Sequence, residues 1–132
     1  MKKTVLSALT IVLFATLNGA HASPKPTSKE ITINLSDVFV PKGLTSTTDT
    51  VVIVSGMFSN TCYQWARAEV KNTTPLTHEI KAIANVTQNV MCAMHMVPYQ
   101  KEVDLGRLIS GEHTLRLVNG DGSYFEQSMT VN

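Results

Sequence analysis

Short runs of alternating apolar and polar residues, separated by turn residues, constrain the fold of this chain most strongly. The clearest unit extends from Leu115 to Val131 and has Asn119-Gly120-Asp121-Gly122 between two alternating stretches. Asn-Gly and Asp-Gly between such stretches are the strongest hairpin signal that a sequence carries. The segment therefore predicts two antiparallel strands joined by a tight turn.

Further alternating runs lie upstream of this hairpin. Residues 50–55 are apolar on both faces, which predicts a central strand buried on both sides. A helix is the alternative for residues 77–87, but their β-branched residues and flanking turns favour a strand. The other predicted strands cover residues 31–35 (with 38–40 as an extension or bulge), 61–70, 90–97 and 102–105. Seven or eight short strands without a convincing helix predict an all-β fold, an immunoglobulin-like antiparallel β-sandwich.

The N-terminus has the form of a secretory signal. Lys2 and Lys3 precede an uncharged, mostly apolar run from Val5 to Leu17, and Ala20-His21-Ala22 fits the small-x-small cleavage rule. A retained anchor helix is the alternative, but the run is shorter than the roughly 20 apolar residues of a membrane span. We expect a cleaved signal peptide at residues 1–22, a flexible arm at 23–29 and one β-sandwich domain at 30–132.

A bacterial-type signal predicts a periplasmic or secreted protein. Without Lys2 and Lys3, nine of the eleven basic residues remain, against ten acidic residues. This balance argues against nucleic-acid binding, which uses a clustered basic face. No segment after the signal is apolar enough to predict a membrane span. The expected partner is another envelope or extracellular protein, and no cofactor is expected.

The sequence contains two cysteines, Cys62 and Cys92. Exported chains meet an oxidising compartment, so these two residues predict one disulfide. Such a bridge closes a loop of about 31 residues and stabilises the fold by about 3.5–4 kcal/mol through the lost entropy of the unfolded chain. Two free thiols or an intermolecular bridge are the alternatives.

From Cys62 onward, a series of short motifs follows in a set order: Cys62-Tyr63-Gln64, Cys92, Val97-Pro98-Tyr99, Val103-Asp104-Leu105-Gly106-Arg107-Leu108, Gly111, Leu115 to Val118 and Asn119-Gly120. This order resembles that of a type of small exported bacterial domain with an immunoglobulin-like β-sandwich and one disulfide. The resemblance implies the fold and no general catalytic activity. Where many immunoglobulin-like folds have a corner tyrosine, this chain has His113.

A candidate binding patch consists of Tyr63, Trp65 and Arg67. If Cys62 faces the core, strict alternation places these three side chains on the opposite face. Tyrosine, tryptophan and arginine are enriched at binding hot spots. The alternative is a bulge near Gln64 that turns Trp65 inward, to pack on the disulfide as tryptophans do in antibody domains.

The segment that contains Met91, Met94, His95 and Met96 suggests a copper site, because thioethers and imidazole are the ligands that copper(I) prefers. Strand alternation argues against such a site. It would place Met94 and Met96 in the core beside Cys92, and His95 on the other face. The sequence therefore favours methionines that fill gaps in the core.

Taken together, these features predict a non-enzymatic binding module. The chain lacks the Gly-x-Ser-x-Gly elbow of serine hydrolases. His78, His95 and His113 lie on three different predicted strands and show no metal-ligand spacing. Two alternatives remain: a periplasmic copper-binding protein that uses residues 91–96, and an inhibitor of an exported hydrolase that presents a loop at residues 56–61.

Overall fold

The computed structural model describes residues 19–132, so the predicted signal peptide lies largely outside the described residues. Within residues 19–132 every regular element is a strand, and no helix could span a membrane. The strands are β1 (Thr27–Ile33), β2 (Asp37–Phe39), β3 (Asp49–Phe58), β4 (Tyr63–Thr74), β5 (Thr77–Gln88), β6 (Val97–Arg107), β7 (Gly111–Val118) and β8 (Tyr124–Val131).

The eight strands form two sheets. In the five-stranded sheet, β4 pairs with one side of β5, β1 and β7 share its other side, and β8 pairs with β7. The three-stranded sheet has the order β2-β3-β6. The prediction of an all-β sandwich with one disulfide is confirmed. One ladder, between β5 and β7, is parallel. After β5 the chain passes through β6 in the other sheet, so β7 re-enters the five-stranded sheet in the same direction as β5.

The core lies between the sheets and follows the alternation of the strands. On β3, Val52 and Val54 are fully buried, whereas Val51 and Ile53 at the alternate positions are half-buried. The prediction that this strand is buried on both sides is wrong, because within residues 19–132 no further layer covers the outer face of its sheet. The five-stranded sheet contributes Ile80, Ala82, Ala84, Leu115, Leu117, Met129 and Val131 to the core.

Tyr99 on β6 links the core to the N-terminal part of the chain. Its ring stacks on Phe58 with a centroid distance of 4.5 Å, and its hydroxyl donates to the carbonyl of Asn34 (2.7 Å). Burial raises the pKa of Tyr99 to about 12, so the hydroxyl keeps its proton. The ring lies over Gly56, where an added Cβ would be 2.6 Å from Tyr99 Cζ. Tyr99 thus fixes the segment that follows β1 to β6 through a side-chain-to-backbone hydrogen bond.

The chain crosses from the first sheet to the second between β1 and β2. At this crossing, the Leu35 N–H donates to Asn119 Oδ1 (3.0 Å), and the Gly120 N–H donates to Asn34 Oδ1 (3.2 Å). A Cβ on Gly120 would be 2.5 Å from the Thr32 carbonyl oxygen. The predicted hairpin between β7 and β8 is therefore fixed against the crossing by two reciprocal asparagine contacts.

Several predicted boundaries need correction. The strands predicted at 90–97 and 102–105 are instead a loop at 89–96 and one long strand, β6. Pro98 is accommodated within β6 because β6 is an edge strand, where a missing N–H is tolerated. The predicted arm at 23–29 is also too long, since Thr27 already pairs with Gln88. Residues 38–40 contribute a separate strand, β2, in the opposite sheet from β1.

Candidate functional site

Residues 89–96, which we call the methionine loop, connect β5 to β6. The predicted disulfide between Cys62 and Cys92 is confirmed, with a Cα–Cα distance of 5.5 Å. Thr61 adds two bonds to Ala93: its hydroxyl accepts from the Ala93 N–H (2.9 Å), and its own N–H donates to the Ala93 carbonyl (3.2 Å). The loop backbone is therefore fixed to the turn before β4.

The methionines of this loop point into solvent. Met91 is 101%, Met94 82% and Met96 59% exposed, and His95 is exposed as well. The prediction that Met94 and Met96 fill the core is wrong, because it assumed a strand with alternating faces. In the absence of a strand, the disulfide buries Cys92 only partly and leaves its neighbours outside. Met96 also borders a cleft of about 310 Å³, whose other walls include Phe58 and Tyr63.

The structure does not bring Tyr63, Trp65 and Arg67 together as one patch. The β4–β5 register shifts between Trp65 and Arg67, so Trp65 pairs with Ala84 whereas Arg67 pairs with Ile83. Adjacent residues of β5 point to opposite faces, and so do their partners. Trp65 packs inward against the core, with its ring 5.7 Å from that of Tyr99. The irregularity lies at Ala66, two residues after Gln64, where the sequence had suggested a bulge as the alternative. As in that alternative, Trp65 faces inward.

Arg67 lies on the outer face of the five-stranded sheet between two carboxylates. Its Nη1 donates to Glu30 Oε1 (2.8 Å) and its Nη2 donates to Glu69 Oε1 (2.9 Å). The hydrogen bond and charge of Arg67 lower the pKa of Glu30, and the two carboxylates raise that of Arg67. Both terminal nitrogens of the guanidinium are thus engaged within the chain, which leaves Arg67 poorly suited as an anchor for a partner.

A second candidate surface lies on the outer face of the three-stranded sheet. Phe39 is 60% and Met57 49% exposed, and the half-buried Val51 and Ile53 lie on the same face, with Ile53 opposite Phe39. We call these four residues the apolar stripe. A depression of about 500 Å³ beside it is lined by residues that include Ser55, Met57 and Gln100. Phe39 was not predicted as a surface residue of interest, although an aromatic residue between Val38 and Val40 already indicates an apolar outer face.

The carboxylates of Asp37, Glu102 and Asp104 rim the apolar stripe. They lie opposite Ser55, Ile53 and Val51 across the strand ladders, and therefore on the same face. In the part of the chain that the structure describes, none of the three forms a salt bridge. This surface thus combines an apolar centre with an acidic rim.

His78 and His113 form a buried pair that the sequence did not reveal, because 35 residues separate them. Their Nε2 and Nδ1 atoms are 2.8 Å apart, and His113 Nε2 donates to the carbonyl of Ile109 (2.7 Å). His78 Nδ1 lies 2.7 Å from the side-chain amide of Asn72. Burial and the charge of His113 lower the pKa of His78, which favours a neutral ring. The pair joins β4, β5 and β7.

Other candidates give less support for a site. Within residues 19–132, no group of three or more histidine, cysteine, aspartate or glutamate side chains is arranged to hold a metal ion. Half of the predicted inhibitory loop at 56–61 is strand, since β3 continues to Phe58. The two surfaces that remain are the methionine loop and the apolar stripe.

The family model of the ORF11 beta-sandwich domain matches residues 52–131, from β3 to the end of β8. The matched region is more than half of the chain, so the chain belongs to this family. No curated protein and no solved structure matches the chain.

Proposed function

We propose that this ORF11 β-sandwich protein is a non-enzymatic module that binds another protein in the cell envelope. Its signal-like N-terminus supports an extracytoplasmic location, and the disulfide is compatible with export. The near-neutral charge balance supports a protein partner over a nucleic acid.

The exposed apolar stripe is the observation that carries this proposal. Apolar surface rimmed by polar residues is typical of protein-interaction sites. Phe39 has the size and rigidity of an interface anchor, and the depression beside Met57 offers a complementary pocket. The acidic rim favours a partner whose contact surface has an apolar centre and basic margins.

Crosslinking the purified protein to envelope extract tests this proposal. Phe39→Asp places a charge at the centre of the contact, and Ser55→Arg places a bulky cation in the depression. Each substitution should reduce the yield of a specific crosslinked complex at least about tenfold, since a lost anchor costs more than about 1.4 kcal/mol.

Tyr124→Asp is the matched control. Tyr124 is 56% exposed, similar to Phe39, but lies on β8 in the other sheet. The same complex should form with this variant as with the wild-type protein. Equal crosslinking of Phe39→Asp and wild type, with both folded by circular dichroism, would refute the assignment to the apolar stripe.

A further inference from the structure

Three methionines lie in solvent on one eight-residue loop, and packing does not account for their exposure. Burying a methionine side chain stabilises a protein by about 1.5–3 kcal/mol. Met129 on β8 is buried in this way, at 4% exposure. No such stabilisation comes from the exposed side chains of Met91, Met94 and Met96. Their side chains are therefore available to an external ligand.

These side chains match the preferences of a soft metal ion. Methionine thioethers select copper(I), and imidazole is a second favourable ligand. Three thioethers and the His95 imidazole occur within six consecutive residues. Both cysteines are joined in the disulfide, so the loop offers no thiolate, and neutral sulfur ligands must provide the affinity.

The loop conformation allows all four side chains to approach one metal ion, whereas a strand would place them on two opposite faces. Alternation in a strand would separate His95 from Met94 and Met96, but residues 89–96 pair with no strand. The backbone is fixed at Cys92 and Ala93 by the disulfide and by the two Thr61 bonds. Methionine has three rotatable side-chain bonds, so the flanking thioethers can converge on one ion above this anchored centre.

We propose that the methionine loop binds one copper(I) ion, with Met91, Met94, His95 and Met96 as its ligands. The disulfide positions the loop and keeps Cys92 from competing as a ligand. This site is separate from Phe39 and Ser55, through which the protein-binding role is tested, so it goes beyond that role. The ion is bound as copper(I), and no redox step is involved.

An anaerobic competition titration tests the proposal. The purified protein with its disulfide intact competes with bicinchoninate for copper(I), and the absorbance of the copper–chelator complex reports the copper that the protein has not taken. We expect one copper(I) per chain with a Kd below about 1 μM. The triple variant Met91→Leu/Met94→Leu/Met96→Leu should bind at least about 100-fold more weakly, because it loses every soft ligand. His95→Asn should show a smaller loss.

Met129→Leu is the matched control, since it makes the same chemical change in the core and should leave the affinity unchanged. The triple variant should unfold at the same urea concentration as wild type, because its three positions are exposed. Phe39→Asp should bind copper(I) normally, which separates this proposal from the protein-binding one. Wild-type binding weaker than about 1 μM, or undiminished binding by the triple variant, would overturn the assignment.

Discussion

The buried histidine pair makes the stability of the fold depend on pH. Burial, and then the charge of His113, lower the pKa of His78 below its ordinary value of 6.5. The unfolded chain therefore takes up a proton at a higher pH than the folded chain does. The stability that this residue contributes is complete above pH 6.5 and decreases as the pH falls below it. We expect the urea midpoint to be lower at pH 5 than at pH 7.5.

A His78→Gln variant provides the control for this effect. Glutamine keeps a side-chain donor toward His113 but does not titrate in this range. The decrease in the urea midpoint between pH 7.5 and pH 5 should be smaller in the variant than in the wild-type protein. An identical decrease in both proteins would show that His78 is not the group responsible.

Gly56 is required by the close approach of the Tyr99 ring. An added Cβ would contact Tyr99 Cζ at 2.6 Å and the Asn34 carbonyl oxygen at 2.8 Å. We expect Gly56→Ala to lower the free energy of unfolding by about 1–3 kcal/mol, the usual cost of overpacking. Urea denaturation measures the loss. In a Tyr99→Ala background the same substitution should cost less, because the main clash is gone. An equal cost in both backgrounds would contradict this explanation.

At the scale of single residues, alternation predicted the faces where strands are regular and failed where they are not. Ile80, Ala82 and Ala84, at alternate positions of β5, all face the core. Trp65 does not follow the pattern counted from Cys62, because Cys62 lies in the turn before β4. The register shift after Trp65 then places Arg67 on the outer face. Side-chain contacts between distant strands, such as that between His78 and His113, depend on the order of the strands in the sheet. The alternation of apolar and polar residues does not predict that order.

Among the elements, the methionine loop depends most on its covalent anchor. Replacing both cysteines, as Cys62→Ser/Cys92→Ser, removes the constraint on the unfolded chain. The separation of 30 positions gives an expected loss of about 3.5–4 kcal/mol in the free energy of unfolding. Urea denaturation of the double variant measures it, and wild-type protein with reductant should behave alike. A loss under about 1 kcal/mol would contradict the entropic estimate.

Elements with a local signal were predictable from the sequence, and those defined by tertiary contacts were not. The β7–β8 hairpin follows from Asn119-Gly120 and Asp121-Gly122 between alternating runs. The methionine loop was predicted as a strand, because a run of apolar residues is also typical of a buried strand. Only the disulfide and the Thr61–Ala93 bonds, which join segments about 30 residues apart, distinguish the two conformations.

At the scale of the whole molecule, the free edge of β6 is a possible site of self-association. Lys101 interrupts its inward-facing apolar residues, since it lies opposite the buried Val54 yet is exposed. A lysine at such a position discourages edge-to-edge pairing. We expect Lys101→Val to increase the fraction of dimers and larger species, as measured by size-exclusion chromatography with light scattering.

The matched control for β6 is Lys42→Val, because Lys42 is an exposed lysine outside any strand. This variant should elute as the wild-type protein does at the same concentration. If Lys101→Val also elutes unchanged at every concentration, Lys101 does not protect the edge.

The fold class followed from the sequence, whereas the assignment of strands to sheets did not. Strand count, turn signals and the two cysteines were sufficient for a disulfide-bonded sandwich. The parallel β5–β7 ladder and the crossing from β1 to β2 between sheets depend on which strands become neighbours. The apolar stripe was not predicted for the same reason, because it forms only when β2 pairs with β3 in the three-stranded sheet.

The crossing between β1 and β2 also offers a direct reporter of local opening in the fold. The Leu35 amide is hydrogen-bonded to an asparagine side chain 84 positions away, and not to a neighbouring strand. Its hydrogen–deuterium exchange therefore follows the undocking of the β7–β8 hairpin from the crossing. Exchange at Leu35 that is faster than at Val52 in the centre of β3 would indicate that the hairpin releases the crossing while the central strand is still paired.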